Sequence, residues 1–427
     1  MTDKHQKTTR RIFLGSAIAA MSVPMIVPRR MLAGSGQTAP SEKIRVGAIG
    51  VGNRASQLLS QLPDGAEIVA LSDCNLSRAD AFKSKSGGKW PVFQDYRHIL
   101  DRRDIDAVII ATGEFQRVLP SIHACQAGKD VYAEKPLTLY IGEGRTLVNA
   151  ARKYDRVFQV GTQQRSMEKN RVACELVRSG GLGKILEVRA INYAGASPSP
   201  SDGLPKQKIP QGLDWNMWLN QAAERPFNQQ WMGWMRWQDF AGGQMTNWGA
   251  HGVDQIQWAL GASQTGPVEL TPLGNGQVSL KYDNGVTVNF VIEMGKGPMG
   301  GAVFIGEKGK LEINRNKFAS NPPEIAMELA KKLDIVEEER KWSDSLELWQ
   351  ARWHLQNWLD CIRSRVRPVA DVEIGHRSVS VCHLVNITRA INRPLRWDPK
   401  RETFVGDDQA NQLLNLPRRK GFELPVI

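Results

Sequence analysis

A chain of 427 residues is too long for one hydrophobic core and predicts two domains. The formal charge of +12 does not indicate a nucleic-acid partner, because residues 1–40 hold six Lys or Arg against one Asp and the later basic residues alternate with acids. The five cysteines are odd in number and contain no C-x-x-C pair, so neither a disulfide framework nor a cysteine metal motif is indicated.

The chain begins with a candidate export signal. Arg10 and Arg11 stand directly before Ile12-Phe13-Leu14 and an apolar run that reaches Val27. The run is too short for a spanning helix, whereas paired arginines followed by Phe-Leu are typical of a twin-arginine signal. We predict a signal peptide over residues 1–39 and an exported, periplasmic protein that meets the membrane only through export or an uncleaved signal. The alternative is a basic amphipathic N-terminus without an export role.

A glycine-rich turn follows the first predicted strand. Residues 43–49 form a short β-branched run and lead into a G-x-G-x-x-A motif at positions 50–55. Gly50 permits the tight turn, and Gly52 lets the backbone approach a pyrophosphate. A helix that begins near Asn53 points its amides at the phosphates.

A second predicted strand, residues 67–72, ends in Asp73. A carboxylate at this distance from the glycines accepts hydrogen bonds from both ribose hydroxyls and repels a 2′-phosphate. The spacing therefore predicts NAD as the cofactor, with NADP less favoured. A turn-forming glycine pair near an ordinary surface aspartate is the alternative.

The alternation of strands and helices continues to residue 161. The next predicted elements are strand 106–112, helix 116–128, strand 130–133, helix 141–154 and strand 157–161. Such repeats build a doubly wound parallel sheet, here a Rossmann domain over residues 40–161, with ligands at the carboxyl ends of the strands. The predicted cofactor-binding residues are Gly50, Gly52, Asn53, Arg54, Asp73, Thr112, Glu134 and Lys135.

The triplet Glu134-Lys135-Pro136 resembles a motif of the Gfo/Idh/MocA oxidoreductases. The glycine loop, Asp73 and residues 242–258 (GGQMTNWGAHGVDQIQW) resemble the same family, so that the resemblance covers about residues 43–407. It implies an NAD(P)-dependent enzyme for CH–OH donors, with Lys135 beside the nicotinamide and the reacting carbinol. An ammonium there exchanges a proton with the substrate oxygen, and partial burial lowers its pKa.

The resemblance also implies an Asp-x-x-x-His pair on a helix of the substrate domain. The matching positions are Asn247 and His251, which lie on one helix face at this spacing. His251 is a candidate general acid or base, whereas the Asn247 amide hydrogen-bonds a hydroxyl but cannot take its proton. Asp254 is expected to orient the histidine ring or to cap local structure, and Arg165 and Trp248 complete the candidate substrate site.

A second departure from the family pattern is the segment Thr112-Gly113-Glu114-Phe115-Gln116, where relatives commonly have a Thr-Pro turn with a histidine or asparagine. The position of the nicotinamide is therefore less constrained by the sequence than that of the pyrophosphate.

Residues 162–395 change pattern and predict a substrate and oligomerisation domain. A long strand at 184–193, two strands within 268–293 and a hairpin at 302–314 indicate an α+β domain with a mainly antiparallel open sheet. One sheet face is expected to carry helices and the other to meet a partner subunit in a homo-oligomer, a dimer or tetramer. Residues 396–427 form a tail without clear periodicity.

Six tryptophans lie within 34 residues of this domain, which is far above ordinary usage: Trp215, Trp218, Trp231, Trp234, Trp237 and Trp248. Aromatic faces pack on sugar rings, so a carbohydrate cleft is one interpretation. Core packing or an oligomer interface is the other. No metal site is predicted, because His376 and His383 have no third ligand nearby in the sequence.

The sequence leaves three functions open. The first is oxidation of a carbinol in a sugar, polyol or glycoside, with hydride transfer to a tightly bound nucleotide, since an exported enzyme has no pool of free cofactor. The second is a lyase or hydrolase that cleaves glycosides through a keto-sugar intermediate. The third is a sugar-binding homologue without turnover, which Asn247 favours and which Lys135 and His251 oppose.

Overall fold

The computed structural model describes residues 42–333 and 349–427. The predicted export signal over residues 1–39 lies outside these ranges. Within them, none of the helices is both long enough and apolar enough to cross a bilayer.

The first sheet contains six strands, all paired in parallel, in the spatial order 3-2-1-4-5-6. The strands are β1 (Ile44–Ile49), β2 (Ala66–Ser72), β3 (Val92–Phe93), β4 (Ala107–Ile110), β5 (Asp130–Ala133) and β6 (Phe158–Val160). The helices between them are α1 (Asn53–Leu59), α2 (Leu76–Ser86), α3 (Arg97–Leu100), α4 (Glu114–Gln126) and α5 (Ile141–Lys153). This is the predicted Rossmann architecture.

The apolar runs explain why this sheet forms. All four residues of β4 and all four of β5 are buried, as expected for central parallel strands that carry helices on both faces. Helix α1 begins at Asn53, as predicted, directly after the glycine turn at residues 50–52. The sequence did not predict β3, α2 or α3, which are short or polar.

The second sheet has nine strands. They are β7 (Ile185–Ile191), β8 (Glu269–Gly274), β9 (Gln277–Lys281), β10 (Thr287–Ile292), β11 (Ala302–Gly306), β12 (Gly309–Ile313), β13 (Phe318–Asn321), β14 (Leu395–Asp398) and β15 (Thr403–Phe404). Their order is 13-12-11-7-10-9-8-14-15, with β7 and β10 parallel and the other pairs antiparallel. The predicted mainly antiparallel sheet is confirmed.

The prediction of two strands within 268–293 was wrong, because this segment contains three. Asn275 and Gly276 have positive φ angles of 51° and 72° and form a two-residue turn between β8 and β9. Both residue types accept the left-handed conformation that such a hairpin requires. The turn adds a second hairpin to the one at residues 283–285.

The remaining helices are α6 (Glu168–Arg178), α7 (Trp215–Leu219), α8 (Gln244–Asn247), α9 (Gly249–Ala259), α10 (Pro323–Lys331), α11 (Arg352–Ser364), α12 (Val372–Ile391) and α13 (Asp408–Asn411). Helix α12 joins two cores, since Val372 packs in a Rossmann cluster while Val381 packs under the second sheet. Helix α11 also packs on the Rossmann sheet, through Leu355 and Trp358.

The C-terminal tail is ordered around the second sheet and the Rossmann domain. It supplies β15 and most of β14, and the Arg418 guanidinium donates to Glu143 of α5 at 2.7 Å. Leu424 and Ile427 pack against the Rossmann core. Residues 396–427, which show no clear periodicity, therefore contact both the second sheet and the Rossmann domain.

Candidate active site

A cavity of about 600 Å³ lies at the carboxyl ends of β1, β2 and β4. Six of the predicted cofactor residues line it: Gly50, Gly52, Asn53, Arg54, Asp73 and Thr112. This is the edge of a doubly wound sheet at which nucleotides bind. Glu134 and Lys135 do not line the cavity, and we describe them with the reacting groups below.

The turn after β1 depends on glycine. Gly50 has a φ of +80°, and a Cβ added there would lie within 3.0 Å of the Thr112 side chain and backbone. Only glycine therefore lets β1 approach the end of β4 this closely. The first residues of α1 follow directly and line the cavity. Backbone amides at the start of a helix bind a diphosphate well.

Asp73 is held rigidly at the wall of the cavity. Its side chain is buried, and its two oxygens accept hydrogen bonds from the amides of Val51 and Asn75, each at 2.9 Å. Burial raises its pKa above the ordinary range. The fixed acid, the bare glycine turn and the helix terminus along one wall fit the ribose and diphosphate of NAD.

Replacing Asp73 by serine is expected to weaken NAD binding by about tenfold or more, because hydrogen bonds to a charged group contribute about 1.5–3 kcal/mol. Affinity for NADP is expected to fall less, since the repulsion of the 2′-phosphate is lost as well. Isothermal titration with both nucleotides measures the change. Asp64→Ser, at an exposed position, is the matched control; an unchanged NAD:NADP preference in Asp73→Ser would show that Asp73 does not contact the ribose.

Residues 212–235, which we call the roof segment, cover this cavity from the second domain. Met217, Trp218 and Trp234 line the cavity. The segment is fixed to the Rossmann domain by main-chain hydrogen bonds, from Asp214 to the Cys74 carbonyl at 2.8 Å and from Leu76 to the Gly212 carbonyl at 2.9 Å. The sequence did not predict this cover, because its partners are more than a hundred residues away.

The tryptophans of this region are mainly a core. Trp215, Trp218, Trp231 and Trp237 are buried, and Trp215 stacks on Trp218 with ring centroids 4.7 Å apart. Phe115 of α4 packs into the same cluster, 5.3 Å from Trp218. Core packing therefore accounts for these four rings, while Trp218 and Trp234 also face the cavity.

Lys135 and Asn247, two of the predicted catalytic residues, are in direct contact. The Lys135 Nζ donates to the Asn247 side-chain Oδ1 at 2.8 Å and to its carbonyl at 3.0 Å. The peptide bond from Lys135 to Pro136 is cis. Burial lowers the pKa of Lys135 to about 8, against the opposing effect of Glu134. The lysine is therefore able to exchange a proton near neutral pH.

His251 lies four residues after Asn247 and is buried. The prediction that one helix carries both residues was wrong, because α8 ends at Asn247 and His251 lies on α9. Burial, together with the nearby cations Lys135 and Arg315, holds the pKa of His251 well below the ordinary value. The imidazole is therefore neutral near pH 7, which differs from the predicted titration near neutrality. A neutral ring still donates through one nitrogen and accepts through the other.

Of the two roles predicted for Asp254, orientation of the histidine ring is not observed. Its carboxylate accepts from Arg165 Nε and from the Ser378 hydroxyl, each at 2.7 Å. The His251 Nδ1 has no hydrogen-bond partner among the described residues. Asp254, on α9, forms a buried ion pair with Arg165. The Arg165 guanidinium also lies over the ring of Trp258. These two predicted substrate residues thus support the helix that carries His251.

The buried Glu134 forms an ion pair with the partly buried Arg54, 2.7 Å apart. Burial acts to raise the pKa of Glu134, but Arg54 and Lys135 outweigh it and hold the carboxyl ionised. The other Glu134 oxygen accepts from the Lys135 amide at 3.0 Å. The ion pair therefore fixes the backbone at Lys135. Because Arg54 also lines the nucleotide cavity, it lies between that cavity and the residues around Lys135.

Two charged residues near this centre were not predicted as site residues. Glu114 is fully buried at the start of α4, accepts hydrogen bonds from the Gly242 amide and the Thr246 hydroxyl, and has a pKa raised by burial to about 8. Arg315, after β12, is buried with its guanidinium over the predicted substrate residue Trp248, 5.3 Å from the ring centroid. Neither lies in a motif, so only tertiary structure brings them here.

His376 and His383 have structural partners. His376 bonds to Glu402 at 2.7 Å, and His383 bonds to the Thr138 carbonyl at 3.0 Å. In the part of the chain that the structure describes, no three His, Cys, Asp or Glu side chains form a group that could hold a metal ion.

Family models match most of the chain. Residues 44–162 match the Gfo/Idh/MocA model described as an oxidoreductase family with an NAD-binding Rossmann fold, and residues 170–424 match the C-terminal alpha/beta domain of the same family. The chain belongs to the Gfo/Idh/MocA oxidoreductase family. NAD is the cofactor that this family's Rossmann domain binds.

Curated relatives of this Gfo/Idh/MocA chain include inositol 2-dehydrogenases. That of Salmonella typhimurium is 27% identical over 175 residues, which cover 40% of this chain and 50% of the relative. That of Leifsonia xyli is 30% identical over 158 residues, covering 36% and 46% respectively. The matched stretch is thus about half the length of these relatives.

Solved structures share the fold over nearly their whole length. The WlbA dehydrogenase of Bordetella pertussis, solved with NADH and UDP-GlcNAcA, has a TM-score of 0.58 at 18% identity and covers 83% of this chain and 99% of its own. The aldose-aldose oxidoreductase of Caulobacter crescentus has a TM-score of 0.56 at 16% identity with the same coverage. At these identities the likeness shows the Gfo/Idh/MocA fold alone.

Proposed function

We propose that this protein oxidises a carbinol of a sugar, polyol or glycoside and passes the hydride to an NAD that it retains. The observation that carries this proposal is the contact between Lys135 and Asn247, 2.8 Å apart, beside a buried neutral His251. The inositol 2-dehydrogenases among the curated relatives support a polyhydroxylated substrate. Arg54 lines the nucleotide cavity and also pairs with Glu134, the residue next to Lys135.

The chemistry divides between cofactor and protein. Bound NAD supplies the hydride acceptor. The neutral amine of Lys135 takes the hydroxyl proton as the C–H bond breaks, and the Asn247 oxygen steadies the ammonium that results. His251 hydrogen-bonds the same or a neighbouring hydroxyl without changing its charge. Glu134 and Arg54 hold the lysine backbone in place.

Retention of the nucleotide and export belong to the same proposal. The roof segment covers the cavity, and its main-chain bonds to the Rossmann domain favour slow release of a nucleotide bound beneath it. Such an enzyme remains competent in the periplasm, where Arg10 and Arg11 would direct it folded and already loaded. The homo-oligomer stays a prediction, which light scattering on the purified protein checks.

Cleavage of a glycoside through a keto-sugar intermediate is the second candidate. Asn247 favours it, because the site lacks the carboxylate that the family pattern places beside Lys135. In this reaction the ketone would acidify the C–H bond of the neighbouring carbon, loss of that proton would expel the substituent from the next carbon, and in a hydrolase water would add to the resulting double bond. Return of the hydride to the ketone would then leave no net oxidation.

One experiment tests the proposed function and separates the two candidates. The purified protein is denatured and its released nucleotide is quantified, and the native protein is incubated without added NAD either with myo-inositol and free aldoses or with aryl glycosides. Reduction of the bound nucleotide by free polyols supports oxidation, and release of the aryl group supports cleavage. A nucleotide-loaded protein inert toward both sets would be a binding homologue and would contradict the proposal.

The rate of oxidation is expected to rise with pH and to level off above about pH 8, because only the neutral amine of Lys135 accepts a proton and burial sets its pKa near that value. Single-turnover absorbance of the reduced nicotinamide gives the profile. Asn247→Asp puts a carboxylate beside Nζ, which raises the pKa of Lys135 and moves the profile to higher pH. A profile that this substitution does not move would argue against Lys135 as the proton acceptor.

A further inference from the structure

Glu114 is a buried carboxyl that joins the two domains. It is the first residue of α4 in the Rossmann domain and is only 1% exposed. Its Oε1 accepts a hydrogen bond from the Gly242 amide, and its Oε2 lies 3.1 Å from the Thr246 hydroxyl. Both partners belong to the second domain, at or just before α8. Glu114 does not line the nucleotide cavity, so contact with the cofactor does not explain a carboxyl at this position.

Gly242 and Gly243, which we call the cross-domain turn, are packed tightly on the second domain. The Gly242 carbonyl accepts from the side-chain amide of Asn386, on α12, at 2.9 Å. Gly243 has a φ of +75°, and a Cβ added there would lie 2.3 Å from the backbone nitrogen of Ala196. Only glycine therefore allows this approach. Glu114 connects the turn, so fixed, to the Rossmann domain.

The cross-domain turn leads directly to Asn247. The backbone amide of Asn247 donates to the Gly243 carbonyl at 3.0 Å, and the Thr246 hydroxyl lies 3.2 Å from the same carbonyl. Because α8 is a single helical turn, a shift of the cross-domain turn is passed on to Asn247. The Asn247 Nδ2 donates to Gln244 Oε1 at 3.1 Å, which leaves its side-chain oxygen to accept from Lys135.

The hydrogen bonds around Glu114 suit a neutral carboxyl. Burial raises the pKa of Glu114 to about 8, against the opposing effects of the Gly242 amide and of Arg117, so the acid is mostly protonated near pH 7. A protonated Oε2 donates to the Thr246 hydroxyl oxygen, whose own proton then goes to the Gly243 carbonyl. A side-chain amide makes the same two contacts, because its oxygen accepts and its NH₂ group donates. A methyl group makes neither.

We propose that Glu114 is a positioning residue of the proposed reaction, which holds the cross-domain turn against the Rossmann domain and so keeps Asn247 in contact with Lys135. The proposal rests on the proposed function and adds to it a residue outside the nucleotide cavity. Lys135 follows β5 of the Rossmann sheet, whereas Asn247 lies in the second domain, so their contact depends on the joint between the domains. A misplacement of about 1 Å at reacting groups costs about 10²-fold in rate.

The test compares a methyl group with an amide at position 114. Single turnovers of NAD-loaded protein are measured with whichever of myo-inositol, D-glucose and D-galactose reduces the wild type fastest. Glu114→Ala is expected to lower the rate at saturating substrate by about tenfold or more, with a smaller change in the half-saturating concentration and none in NAD affinity. Glu114→Gln is expected to restore most of the rate. Crystal structures of both variants show whether Lys135 Nζ still contacts Asn247 Oδ1. Glu328→Ala, at an exposed position on α10, is the control.

The outcomes separate this proposal from the proposed function. If Glu114→Ala kept the wild-type rate, or if Glu114→Gln were as slow as Glu114→Ala, the positioning role would be wrong while oxidation of a carbinol stands. If none of the three compounds reduced the wild type, the proposed function would be wrong, and a Lys135–Asn247 contact that persists in the crystal structure of Glu114→Ala would reject the positioning role as well. Should Glu114→Ala fail to fold, Thr246→Val decides, because it removes the hydroxyl and keeps a branched side chain; a wild-type rate in that variant overturns the proposal.

Discussion

Lys135→Ala is expected to lower the rate of hydride transfer by about 10²–10⁴, the usual contribution of a positioned acid or base. The amine is the group beside Asn247 whose pKa, lowered by burial to about 8, suits proton exchange. NAD binding is expected to persist, since the cavity is lined by other residues. Single-turnover reduction of the bound nucleotide measures the loss.

Lys281→Ala is the matched control, because Lys281 is 48% exposed on β9, in the second sheet. Its turnover should equal that of the wild type. If Lys135→Ala reduced its nucleotide at the wild-type rate, the assignment of the proton acceptor would be wrong even if the protein proved to be a dehydrogenase.

Glu134→Gln is expected to destabilise the fold by about 1–3 kcal/mol, because it leaves the partly buried Arg54 without its carboxylate. The pair is 2.7 Å apart, with Glu134 only 3% exposed. The same change removes the charge that raises the pKa of Lys135, so that pKa should fall below about 8 and the pH profile should move to lower pH. Urea denaturation and the pH dependence of single turnovers test the two parts.

Glu269→Gln serves as the comparison for stability. It breaks an ion pair with Lys281 in which both side chains are about half exposed, and such pairs contribute about 1 kcal/mol or less. Equal losses of stability in the two variants would mean that the Glu134–Arg54 pair is no more important than a surface pair.

The Rossmann half of the fold was predictable from local signals. The strand before Gly50, the helix start at Asn53 and the buried strands β4 and β5 follow from apolar runs and glycine positions, and the structure confirms them. The hairpin at Asn275-Gly276 carries an equally local signal, an Asn-Gly pair between β8 and β9. Strand β3 has only two residues and leaves no periodic trace.

The candidate site was predictable only in part. The family pattern led to Lys135, Asn247 and His251, which the fold brings together. It could not reveal that Asp254 faces Arg165 rather than His251, because an i+3 spacing allows either partner. Arg315 and Glu114 reach the site through contacts between segments far apart in sequence, for which a single sequence gives no signal.

The attachment of the roof segment has a consequence for how the molecule uses NAD. The bonds between Gly212 and Leu76 and between Asp214 and Cys74 join backbone to backbone, so side-chain substitutions leave them in place. A dinucleotide seated beneath them is expected to leave only when this corner opens locally. NAD would then act as a prosthetic group. Each turnover would have to return the same bound molecule to its starting redox state. The reaction that reoxidises the bound NADH would therefore have to occur on the enzyme itself.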